Sequence, residues 1–190
     1  MVSSTALLTD HYELTMLQAA LAGGTATRRS VFELFGRRLP EGRRYGVVAG
    51  VGRALDAIEA FRFDDDTLAA LDGVVDAPTL EWLSTYRFSG DVWGYAEGEV
   101  YFAQSPLLIV EASFAEAVVL ETVLLSIYNH DSAIASAASR MTCATPSRCR
   151  ADPVPHRPSE RLPTRSPSRG CRSRAAPSRA PRPRRSSPRR

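Results

Sequence analysis

The chain has 190 residues, with 24 basic and 21 acidic side chains and a formal charge of +3. That balance hides two unlike parts. The tail from Cys143 to Arg190 carries 14 of the 24 basic residues against Asp152 and Glu160 alone, which leaves 10 basic and 19 acidic residues in the body, a split of about −9 and +12. No apolar run approaches the ~18 residues that cross a bilayer, and no basic-then-apolar leader opens the chain, so no membrane partner is expected and the cytoplasm is the expected compartment. All three cysteines lie in the tail, at a spacing that fits neither a zinc site nor a closed disulfide framework.

Leu7-Leu8-Thr9-Asp10-His11-Tyr12-Glu13-Leu14-Thr15-Met16 reads as a helix start. Thr9 or Asp10 can cap it, and Asp10 with Glu13 has capping-box spacing. Met16, Ala19 and Ala20 continue an apolar stripe from Tyr12, and Gly23-Gly24 stops the helix. The cap puts Tyr12 in the first turn, at an end that can face a ligand; the competing reading is a half-buried packing residue.

Ser30 to Phe35 is aromatic and β-branched and predicts a strand. Leu39-Pro40-Glu41-Gly42 predicts a turn and Tyr45 to Ala49 a second strand. A helix is expected from about Arg53 to Phe61. Gly50-Val51-Gly52 before it invites a phosphate-loop reading, but without a third glycine or a lysine it reads as a plain turn. Asp64-Asp65-Asp66 could be a metal site and is read as the cap of the helix that follows, since acids complement a helix N-terminus. Pro78 opens another helix, with Trp82, Tyr86 and Phe88 as core.

Asp91 to Ala96 and Glu99 to Phe102 predict a hairpin around Glu97-Gly98. Leu107 to Val110 predicts a short buried strand. Phe114 to about Tyr128 has the strongest helical periodicity, and Asn129 or Asp131 is expected to end it and cap a second helix reaching Met141. The fold class is α+β. The tail is mostly Arg, Pro, Ser and Ala and cannot offset backbone ordering at ~1–2 kcal/mol per residue, so disorder is expected.

After the first helix come Phe32-Glu33-Leu34-Phe35-Gly36-Arg37-Arg38-Leu39-Pro40, then Arg44-Tyr45-Gly46-Val47-Val48-Ala49-Gly50. Leu120-Glu121-Thr122-Val123-Leu124-Leu125 and Asn129-His130-Asp131-Ser132 follow. With the Tyr12 stretch, and over residues 5 to 141, this order resembles the N-terminal part of nicotinate phosphoribosyltransferase. The resemblance stops beyond Met141.

The resemblance implies an enzyme of NAD salvage, an ATP-dependent ligase that joins nicotinate to phosphoribosyl pyrophosphate, giving nicotinate mononucleotide and pyrophosphate. ATP hydrolysis would run through a phosphorylated histidine with Mg2+ at the phosphates. The family fold, that of type II phosphoribosyltransferases, is an N-terminal α/β domain packed on an irregular α/β barrel. A homodimer is implied, with the site at the barrel mouth completed by a second subunit's N-terminal region. The expected organisation is residues 1–110 as the α/β domain, 111–141 as the first helices of a truncated barrel, and 142–190 as a disordered, out-of-frame tail.

Within that resemblance Tyr12 matches the tyrosine that meets the nicotinate ring, and Arg37 and Arg38 are candidate contacts to a carboxylate or phosphate; a solvated surface turn explains both arginines equally well. None of His11, His130 and His156 stands in the Gly-Thr-x-x-His context of the phosphorylated histidine, so no catalytic or metal residue is assigned and the residues for ATP and Mg2+ are not found here. The chain is therefore expected to be truncated and inactive alone. On the frameshift reading no nucleic-acid partner is expected. The alternative is a non-catalytic acidic body with a basic nucleic-acid-binding arm. A sister enzyme using nicotinamide is a further reading.

Overall fold

The computed structural model describes residues 5–143 and 160–161. A 3-10 turn at Ala6–Leu8 leads into α1 (His11–Ala22), whose Leu14, Leu17 and Ala20 are buried. Strand β1 (Arg29–Phe35) and the short β2 (Gly46–Val47) follow, then α2 (Val51–Ala60), α3 (Asp65–Leu71) and α4 (Ala77–Ser84). The second half holds β3 (Asp91–Gly94), β4 (Val100–Tyr101), β5 (Pro106–Ser113), α5 (Phe114–Val118), α6 (Glu121–Cys143) and β6 (Glu160–Arg161). This is the mixed helix-and-sheet class expected.

Two antiparallel sheets organise these elements. One has strand order β1-β5-β3-β6 and the other is the pair β2-β4. β5 is central and nearly continuous in apolar residues, as a strand covered on both faces requires; Leu107, Leu108, Val110 and Ala112 are buried. α6 packs on β2 and α2, while α5 packs on α1, β1 and β5. Tyr86 centres an aromatic cluster, edge-on to Phe61, Phe63 and Trp82 at ring separations of 5.5–6.0 Å. Of the expected core trio, Tyr86 is fully buried, while Trp82 and Phe88 are partly buried against it.

Several sequence expectations change. The stretches Asp91 to Ala96 and Glu99 to Phe102 do not form a hairpin with each other: β3 pairs with β5, and β4 pairs with β2. The turn at Glu97-Gly98 is real, with Gly98 at φ 85°, but its backbone bonds run to Val48 and so hand the chain to the other sheet. The strand expected at Leu107 to Val110 runs from Pro106 to Ser113, and the one expected at Tyr45 to Ala49 shrinks to Gly46–Val47.

The largest change concerns the long helices. The chain breaks at Val119-Leu120, and α6 continues through Asn129 and Asp131. Nothing at Asn129–Asp131 removes a backbone donor or demands a positive φ, so capping propensity yields to tertiary packing. Ser113 instead starts α5 with a complete capping box to Glu116, a pattern hidden because Ser113 also ends a strand. The 110/111 boundary expected from the sequence falls inside β5. Of the tail expected to be disordered, Thr142 and Cys143 end α6 and Glu160–Arg161 forms a two-residue strand on β3; the other residues of 142–190 lie outside the described residues.

Candidate ligand-binding site

Asp10 precedes α1 in extended backbone, where an N-cap should be, but its side chain makes no capping bond. The expected Asp10–Glu13 box fails because Glu13 turns inward. Its side chain is 0% exposed, and its Oε1 accepts bonds from the backbone N and the hydroxyl of Thr122 in the first turn of α6. Its Oε2 is buried without a partner. Burial pushes the Glu13 carboxyl up, and the bonds from Thr122 oppose the shift.

Tyr12 stands beside it with 46% of its surface exposed. Burial of the phenol, its interaction with the Glu121 carboxylate and the charges of Glu121, Glu13 and Asp10 push its ionisation above the ordinary tyrosine range. The ring is thus available from solvent while its oxygen meets an acidic neighbour.

Arg37 and Arg38 follow β1 and are both exposed. They line a cleft of about 850 Å³ together with Arg43, Tyr101, Tyr128, Asn129 and Ser136. Among the described residues no carboxylate lines it, although the body as a whole is acidic. Gln104 holds its rim: its backbone N donates to Gly36 O at 2.8 Å and its Nε2 to Arg37 O at 2.6 Å. The floor is tight. A Cβ on Gly46 would stand 2.3 Å from the Tyr101 ring, so only glycine allows β2 to pass there.

The far wall comes from α6. Ser136 Oγ accepts from Val47 N at 2.8 Å, and Ser132 Oγ accepts from Ala49 N at 3.1 Å. Both serines are buried, one helical turn apart, and they complete a strand edge that β4 leaves unpaired. The sequence signal was the spacing of two serines on an otherwise alanine-rich helix.

Tyr12 does not line the arginine cleft. A smaller groove of about 160 Å³, lined by residues that include Phe32, Leu34, Glu121, Leu124 and Leu125, shares Leu34 and Leu125 with the cleft. The structure therefore gathers Arg37 and Arg38 and leaves Tyr12 outside their cleft.

The other sequence candidates resolve into structural parts. Gly50 has φ 92°, and the Glu97 carboxylate accepts from Gly50 N and Val51 N at 2.9 and 2.8 Å. An internal anion thus occupies the helix N-terminus that a phosphate would need, and the plain-turn reading holds. Asp64 caps α3 by accepting from Thr67 N at 2.9 Å, and those bonds hold its carboxyl below the usual range. His130 Nδ1 lies 2.9 Å from Asp131 Oδ1, and Arg53 bonds both oxygens of Asp131 at 2.6 and 2.9 Å. Among the described residues no helix is long and apolar enough to cross a membrane.

The fold is that of phosphoribosyltransferases. The crystal structure of human nicotinic acid phosphoribosyltransferase matches with a TM-score of 0.67 and 31% identity, over 71% of this chain and 28% of that one. A nicotinate-nucleotide pyrophosphorylase from Pyrococcus furiosus matches in fold alone, with a TM-score of 0.56 and 22% identity over 73% of this chain and 28% of that one.

The chain belongs to the nicotinate phosphoribosyltransferase family: residues 7–129 match the model of the family's N-terminal domain. It is 60% identical over 142 residues to the nicotinate phosphoribosyltransferase pncB1 of Mycobacterium tuberculosis, covering 75% of this chain and 32% of the relative. The nicotinate phosphoribosyltransferase of Bacillus subtilis is 36% identical over 140 residues, 73% of this chain and 29% of that protein. The chain thus spans about a third of the length of the curated relatives it matches.

Proposed function

We propose that residues 7–129 form the ring-contacting and anion-contacting part of a nicotinate phosphoribosyltransferase, an enzyme that builds nicotinate mononucleotide from nicotinate and phosphoribosyl pyrophosphate in NAD salvage. The family match over those residues carries the proposal. Tyr12 takes the nicotinate ring, because an electron-poor pyridine packs well on a phenol face left open to solvent. Arg37 and Arg38 take an anionic group, carboxylate or phosphate, in a cleft that no carboxylate lines among the described residues. A cytoplasmic homodimer, and a barrel beginning at α5 and α6, belong to the same reading.

The proposal assigns contacts, and not turnover, to this chain alone. ATP and Mg2+ come to it from the family. The described residues hold no group of three His, Cys, Asp or Glu suited to a metal ion, so they do not fit a magnesium site and no step is routed through one. The purified chain should form no nicotinate mononucleotide.

The test is a chimera. Residues 1–141 replace the matching segment of the Mycobacterium tuberculosis relative, and nicotinate mononucleotide formation is measured. Synthesis is expected, and Tyr12→Ala should cut it by roughly tenfold or more through loss of one aromatic contact. A chimera that folds and makes no product, or one indifferent to Tyr12→Ala, would overturn the assignment.

A further inference from the structure

The helix break at Val119-Leu120 leaves groups that an uninterrupted helix would have paired. Two side chains of the α1 region take them up. Thr9 Oγ1 donates to Val119 O at 2.9 Å, and Glu13 accepts from Thr122 N at 2.9 Å and from the Thr122 hydroxyl. These contacts span about 110 positions of sequence and join residues 9–13 to residues 119–122, where Glu121 interacts with the Tyr12 phenol. α1 alone does not explain them. Its own N-terminus goes without a side-chain cap while Glu13, the residue placed to supply one, serves α6.

A carboxylate at a helix N-terminus is favoured by the dipole and the free N–H groups. A fully buried carboxylate with one orphaned oxygen is costly. The chain bears that cost next to the one exposed aromatic ring of α1.

We propose that Glu13 and Glu121 are positioning residues for Tyr12. Glu13 locks the first turn of α1 onto the first turn of α6, and Glu121 holds the phenol oxygen, so that the ring is presented in one orientation. An exposed tyrosine otherwise samples several χ1 wells, and a ring fixed beforehand loses less freedom when a flat ligand stacks on it. The functional half of this inference rests on Tyr12 being the ring contact; the geometric half does not.

The test separates the two. The chain is labelled with 13Cζ tyrosine, and the Tyr12 line is assigned by its loss in Tyr12→Phe. Glu121→Gln and Glu13→Ala are each expected to shift that line and to broaden it through motion. Glu13→Gln keeps a carbonyl oxygen for Thr122 and is expected to restore the wild-type line. Asp64→Ala, which uncaps the distant α3, should lower the melting temperature without moving it. Should Glu13→Ala not fold, Thr9→Val removes only the hydroxyl bond to Val119 and is expected to shift the line in the same direction.

A Tyr12 line unmoved by Glu13→Ala, or by Thr9→Val in its place, overturns the positioning role. Nicotinate is then titrated into the wild-type chain. A nicotinate-dependent shift of the Tyr12 line that weakens roughly tenfold in Glu121→Gln supports both halves. Mutational shifts without any nicotinate response leave the clasp standing and overturn the ring contact.

Discussion

Glu13 shows how one side chain can be read correctly for type and wrongly for place. An acid three residues after Asp10 is a cap signal, but the cap it makes is on α6. Its carboxyl is raised by burial from the 4.5 of a free side chain, so the folded state holds this proton more tightly than the unfolded chain does. Its contribution to stability is therefore fully present below pH 4.5 and is lost as pH rises through the folded value. Unfolding free energies of wild type and Glu13→Gln should accordingly differ by an amount that falls for wild type as pH rises above 4.5 and levels once the folded carboxyl has ionised. A difference independent of pH would refute this. At Gly46 the constraint is steric: Gly46→Ala sets a methyl into the Tyr101 ring, and urea unfolding should show a loss of about 1–3 kcal/mol.

At the scale of elements, Ser136 ties α6 to β2 and Ser132 ties it to the loop that follows. Ser136→Ala would leave the part-buried Val47 N without its partner, at about 1 kcal/mol. The same substitution should increase hydrogen exchange at Val47 and leave β5 unchanged. Elements with a local signal were legible in the sequence: α1, β1, and α3 with its Asp64 cap. Pairings were not. The hairpin expected at Glu97-Gly98 had the right turn and the wrong partners, because period and turn chemistry say nothing about which sheet receives the next strand. The break at Val119-Leu120 has no Gly or Pro to announce it; Thr9 and Glu13, far away in sequence, satisfy its open groups. Of the candidate site, Tyr12, Arg37 and Arg38 could be chosen by resemblance. Gln104, Tyr101 and the two serines, which shape the cleft, carry no local pattern.

On the scale of the whole molecule, the apolar surface is uneven. Leu7, Leu8, Tyr12 and Met16 stand 42–57% exposed at the start of the chain, and Val31, Phe35 and Leu125 are exposed as well. Apolar surface gathered in this way marks an interaction site in a soluble protein. Sedimentation velocity should therefore show concentration-dependent association, and Leu8→Asp combined with Met16→Glu should shift the population to monomer. A chain that stays monomeric at every accessible concentration would argue against a subunit contact here. Charge acts separately: a body of −9 and a tail of +12 attract each other, so association should also respond to salt if the tail contributes to it.

The two attachments of α6 lie in one unbroken helix. Thr122 grips α1 at one end, and Ser132 grips the loop after β2 ten residues later. At 1.5 Å per residue the helix acts as a ruler of about 15 Å between its attachment beside Tyr12 and its attachment behind the arginine cleft. Inserting a single residue between them would turn the far half by about 100° and aim Ser132 and Ser136 away from the backbone they serve. Point substitutions inside that stretch can be absorbed side chain by side chain, whereas a change of length puts the two attachments out of register.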